Sequence, residues 1–233
     1  MSKKTLAMLV AEMVGTFVLA VVVLSVTRYG LPIFTALAAA VAVGTMTTGL
    51  GAVSGGHFNP AITLGMFTLR KLSLAKTVAF VASQAVGAVL AWKLYEWFVD
   101  KPVTSVSGEF DWRIFTAEMV GMAVFGFVFA SAVLKKLEGH FASVTIGWGL
   151  FLGATVASLV ASAGVVNPAV AISLGFRPET VGYLGYLLGP IAGAVVGMNF
   201  YQMMFDKTGS SVAVRASSPA KKSSAKKRST RKR

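Results

Sequence analysis

Two stretches decide how this chain is read: SGGHFNPAITLG at residues 54–65 and SAGVVNPAVAISLG at residues 162–175. Each contains Asn-Pro-Ala, as Asn59-Pro60-Ala61 and as Asn167-Pro168-Ala169. Asn is a good helix N-cap and Pro suits the first helical position, so each triplet is expected to start a helix. The apolar runs that follow, about 60–70 and 168–176, are short. At ~1.5 Å per residue, helices of about 9–11 residues reach only half way across a ~30 Å hydrocarbon layer.

The surrounding composition is that of a membrane protein. Of 233 residues, 55% are hydrophobic and only 13% charged, against about 25% charged in a typical soluble domain. The apolar residues form six blocks near 6–27, 33–53, 74–99, 112–134, 142–163 and 181–205, each close to the ~20 residues of a crossing helix. Lys3 and Lys4 precede the first block as in a signal peptide. The block is too long for such a signal and lacks a small-residue cleavage site, so it is expected to be retained.

The net charge of +13 is local: ten of the 22 Lys and Arg residues lie between Lys207 and Arg233. With the N-terminus inside, 17 of the 22 fall on the cytoplasmic side, so both termini are expected to be cytoplasmic. The basic tail, 206–233, is expected to be disordered and to contact anionic lipid; nucleic acid is the less favoured partner. The chain has no Cys, no phosphate-binding loop and no nucleophile or metal cluster, so no enzyme activity, cofactor or metal is implied.

The chain also repeats itself. AEMVGTFVLAVVV (11–23) returns as AEMVGMAVFGFVF (117–129), and Glu12 and Glu118 are 106 residues apart. Gln84-Ala-Val-Gly-Ala-Val pairs with Pro190-Ile-Ala-Gly-Ala-Val at the same offset. Three spans per half, about 5–100 and 112–205, make the second half enter the membrane from the opposite side. The expected fold is an all-α membrane protein: six transmembrane helices plus two re-entrant half-helices in an inverted repeat, covering residues 1–205. The half-helices would then meet N-terminus to N-terminus, with positive dipole ends and the Asn59 and Asn167 amides at the midplane. Such a site suits a neutral solute with an oxygen and disfavours cations and proton hopping. Gly185, Gly189, Gly193 and Gly197, at every fourth position, are expected to form a packing ridge within the monomer.

The paired Asn-Pro-Ala triplets, Ser54-Gly-Gly-His-Phe58 before the first, and Ala-Glu-x-x-Gly opening each half resemble the aquaporin and aquaglyceroporin family, the major intrinsic proteins. The likeness runs from residue 5 to about 205. It implies a homotetramer in the cell membrane with one pore per monomer. It implies carbonyl ladders from Gly55, Gly56 and His57 and from Ala163, Gly164 and Val165. It also implies that Glu12 and Glu118 are buried and tie down the loops. Most members have Arg after the second Asn-Pro-Ala, where this chain has Val170. The other outer-constriction positions fall at Ala39, at Gly153 or Ala154, and at Gly164. These small residues imply a wide, Arg-free mouth that passes water and glycerol-like solutes, unless Phe34 or Trp148 swings in to fill it. A pore leaky to ammonium or ions, and a structural or adhesive protein of the same fold, are the competing readings.

Overall fold

The computed structural model describes residues 1–104, 108–160, 164–177 and 181–206; the basic tail after Asp206 lies outside the described residues. Among these, the chain forms eight helices: α1 (Lys3–Thr27), α2 (Pro32–Ser54), α3 (Pro60–Thr68), α4 (Leu74–Val99), α5 (Trp112–Leu134), α6 (Gly139–Ala157), α7 (Pro168–Ser173) and α8 (Tyr183–Asp206). Six of them are long and apolar enough to cross a membrane. The remaining two, α3 and α7, are nine and six residues long, and each starts at the Pro of an Asn-Pro-Ala. At ~1.5 Å per residue they rise about 14 and 9 Å, so neither spans a bilayer. The protein is a multi-pass membrane protein.

The spans follow the sequence closely except for α6, which stops at Ala157, six residues before the apolar block ends. The chain must here leave the helix to reach the middle of the bundle, and Leu159, just past the end, is 80% exposed. Gly164 (φ +56°) then supplies a left-handed turn on the way in.

Packing respects the repeat. The helix pair α1–α4 of the first half corresponds to α5–α8 of the second, α1–α2 to α5–α6, and α3–α8 to α7–α4; α2 and α6 pack across the middle. Glycines set the close approaches. A Cβ on Gly189, Gly193 or Gly197 of α8 would run into the backbone of α5 at Phe115, Met119 or Ala123. The Gly ridge therefore packs within the monomer. With no hydrophobic drive between helices in lipid, such backbone contact carries the association. The outer face is apolar: Val41, Val78 and Val196 are all more than half exposed.

Candidate functional site

The site grows from the two Asn residues. Asn59 caps α3, its Oδ1 accepting from the Ala61 amide at 2.8 Å. Asn167 caps α7 in the same way, accepting from Ala169 at 3.0 Å and Val170 at 3.4 Å. The other end of each side chain crosses to the opposite loop. Asn59 Nδ2 donates to the Val166 carbonyl at 2.8 Å, and Asn167 Nδ2 donates to the Phe58 carbonyl at 2.9 Å. Each acceptor is the residue just before the other Asn. An amide nitrogen carries two N–H groups, so one on each Asn is used on the opposite loop and one remains.

Phe58 and Val166 are bent to make this possible. Both have positive φ, +47° and +42°, a conformation that costs a β-branched or bulky residue about 1–3 kcal/mol. Their amides are held from behind. Phe58 N–H donates to Glu12 Oε2 at 2.8 Å and His57 N–H to Glu12 Oε1 at 3.1 Å. Val166 N–H donates to Glu118 Oε2 at 2.6 Å and Val165 N–H to Glu118 Oε1 at 2.9 Å. Both carboxylates are fully buried. Each reaches from the first helix of its half and takes two consecutive loop amides that no helix satisfies.

Glu12 has two further donors that sequence reasoning missed. Ser54 Oγ donates to Oε1 at 2.6 Å and Gln84 Nε2 to Oε2 at 2.7 Å. Gln84 also donates to Thr63 Oγ1 at 2.8 Å, and Thr63 lies 3.2 Å from His57 Nδ1. The signal was available: an amide side chain inside an apolar span needs a buried partner. His57 itself is buried, edge-on to Phe80 and Phe129, so its ring packs the loop.

Two cavities lie along the same faces of α2 and α6, and the first contains the clamp. The first, of about 480 Å³, is lined by Thr35, Ala39 and Val43 of α2, Leu150 and Ala154 of α6, and by His57, Asn59, Gly164, Val165, Asn167 and Val170 among others. The second, of about 1030 Å³, is lined by Thr47, Gly51 and Gly55, continuing the same i+4 stripe of α2, and by Ala142 and Ile146, continuing that of α6. One face of each helix therefore lines both cavities, which stack as two halves of one passage. Among the described residues, no Lys or Arg lines either half. The carbonyls of Gly55, Gly56, His57 and Val165 accept no hydrogen bond from a described residue. Ala163 lies outside the described residues.

The structure separates the constriction candidates. Ala39, Ala154, Gly164 and Val170 all line the first cavity. Gly153 does not belong with them: a Cβ there would sit 2.5 Å from the Gly121 carbonyl, in the contact between α5 and α6. Phe34 and Trp148, 56% and 54% exposed, lie on the outer surface and do not refill the gap. The bulky lining comes instead from Phe125, Leu19 and Leu150. The small residues draw the walls together: a Cβ on Gly164 would lie 2.5 Å from the Ala154 carbonyl.

The family model "Major intrinsic protein" matches residues 2–201. The chain belongs to the major intrinsic protein family. It is 31% identical over 211 residues to nodulin-26 of Glycine max, covering 84% of this chain and 77% of that protein. It is 31% identical over 180 residues to human aquaporin-4, covering 70% of this chain and 53% of that one; the chain thus spans about half the length of aquaporin-4. In fold it is similar to the aquaglyceroporin of Plasmodium falciparum, with a TM-score of 0.70 and 20% identity over 84% of this chain and 95% of the other. Major intrinsic proteins are channels, not enzymes, and those of the aquaporin family are tetrameric.

Proposed function

We propose that this protein is a passive channel for water and small neutral solutes up to about the size of glycerol. Selection rests on a passage without Lys or Arg, apolar along the α2 wall of its first half. The observation that carries this reading is the Asn59–Asn167 clamp in the wall of the first cavity, whose α2 and α6 stripes continue into the second. Each Asn keeps one N–H for a permeating oxygen. The half-helix N-termini behind them add positive potential, and a cation entering an apolar ring without a counter-charge loses solvation that nothing replaces. The first cavity is two-sided. Val23, Ala36, Ala39 and Val43 form an apolar wall, while Asn59, Asn167, Gly164 and Val165 form a wall of amides and backbone. A polyol, with an apolar edge and a polar edge, matches both.

In this reading Ala39, Ala154, Gly164 and Val170 set the size limit. Gly55, Gly56, His57, Gly164 and Val165 supply acceptors along the passage, and Glu12 and Glu118 hold the loops that present them. The protein acts in the cell membrane as a homotetramer with both termini cytoplasmic, and its basic tail contacts anionic lipid. The test is a permeability panel on purified protein in liposomes, with water, glycerol, urea, ammonia and salt. Water and glycerol flux above bare lipid, with salt excluded, is the expected result. Flux equal to bare lipid overturns the reading in favour of a structural role. Salt flux means that the missing Arg leaves the pore open to ions.

A further inference from the structure

We infer that the Thr47 hydroxyl is a hydrogen-bonding station for permeating molecules, a specificity-determining group in the second half of the passage. The inference rests on the channel reading above.

Most helical hydroxyls in this protein bond back to their own helix. On α2, Thr35 Oγ1 donates to Leu31 and Thr48 Oγ1 to Gly44; on other helices Thr27, Thr77, Thr116 and Thr155 do the same. This is the ordinary way for Thr to satisfy its hydroxyl in an apolar span. Thr47 does not: its Oγ1 is buried and has no partner among the described residues. Among the described residues, three other buried side-chain atoms lack a partner, on Thr16, Gln84 and Trp92. Of the four residues, only Thr47 lines either half of the passage.

Its place on α2 is specific. Thr47 follows Ala39 and Val43 on the passage-lining stripe and precedes Gly51 and Gly55. A Cβ on Gly56 would sit 3.2 Å from Thr47 Oγ1, so the hydroxyl faces the bare backbone of the loop that carries His57 and Asn59. A hydroxyl can both donate and accept, whereas a free carbonyl can only accept. The Thr47 hydroxyl therefore adds a side-chain donor near Gly56, open to a permeating molecule on a small rotation of the side chain. The ligand class is water and small neutral hydroxylated or amide solutes.

The test uses the full chain in liposomes, with water and glycerol permeability per channel and thermal unfolding measured for wild type, Thr47→Val and Thr47→Ser. Val removes the hydroxyl at nearly constant shape and Ser keeps it. Thr47→Val is expected to unfold at the same or a higher temperature, since no protein partner is lost. Its permeability is expected to fall roughly two- to ten-fold, the range that one hydrogen bond sets, with Thr47→Ser close to wild type. Unchanged flux in Thr47→Val overturns the inference. So does a lowered unfolding temperature, which would reveal a structural partner. A silent wild type overturns the channel reading itself, and is recognised before any variant is compared.

Discussion

Phe58 and Val166 are hubs, each joining three parts of the structure through one peptide unit. The N–H faces a carboxylate of its own half, the C=O faces the Asn of the other half, and φ is positive to allow both. Removing the carboxylate leaves buried donors unpaired, at about 1–3 kcal/mol each. Glu12→Ala orphans four donors and is expected to lower the unfolding temperature in detergent and the yield of folded protein. Conduction per folded channel should change less. A variant that folds normally but conducts differently would show that the residue acts in transport instead. Val170 is the other decisive residue. It is 2% exposed and lines the first half of the passage. Val170→Arg adds a long side chain with five donors and a fixed charge. Glycerol flux should fall far more than water flux, and any cation leak should vanish, as measured by stopped-flow swelling and salt-gradient potentials.

Among the elements, α3 and α7 depend on their surroundings. Nine and six residues are too few for a stable isolated helix, so caps and tertiary contacts must hold them. α3 leans on α8, where a Cβ on Gly65 would strike the Met198 sulfur, and α7 leans on α4. Tyr183 OH adds a hydrogen bond to the Pro168 carbonyl at 3.2 Å. The crossing of α5 and α8 is the most glycine-dependent contact. Gly193→Val places a branched side chain against the Met119 carbonyl. A destabilisation of about 1–3 kcal/mol or more is expected, seen as aggregation or an earlier melt. Gly49→Ala is the control: a Cβ there meets nothing within 4 Å, and the melt should not move down.

At the scale of the whole molecule, the two halves share one site that neither could form alone. Each supplies one Asn donor and one strained carbonyl, and each half-helix rests on the long helix of the other half. The outward faces of α2 and α6 carry an exposed apolar surface that includes Phe34, Leu37, Val41 and Trp148. Lipid or neighbouring copies must cover it. Native mass analysis in gentle detergent is expected to give four copies; a stable monomer in lipid nanodiscs would contradict the assembly drawn from the family.

Much of this was legible in the sequence by itself, because it follows from local rules. Apolar runs of crossing length become helices, Asn-Pro starts a helix, and three spans per half force the second half to invert. Four-residue glycine spacing marks a ridge, and a carboxylate inside a span must find donors. Tertiary structure alone decided the rest. Whether Gly153 or Ala154 faces the passage depends on the rotation of α6, since adjacent residues point about 100° apart around a helix. That Phe34 and Trp148 face outward is set in the same way. The end of α6 at Ala157 was decided by where the chain had to go, not by hydropathy. The Asn cross-links join atoms 107 and 109 residues apart in sequence, and nothing local specifies them. The width of the mouth is decided in the same way, by how closely the backbones approach. Small side chains leave space only if the backbones stay apart, and here Gly164 and Ala154 let them close.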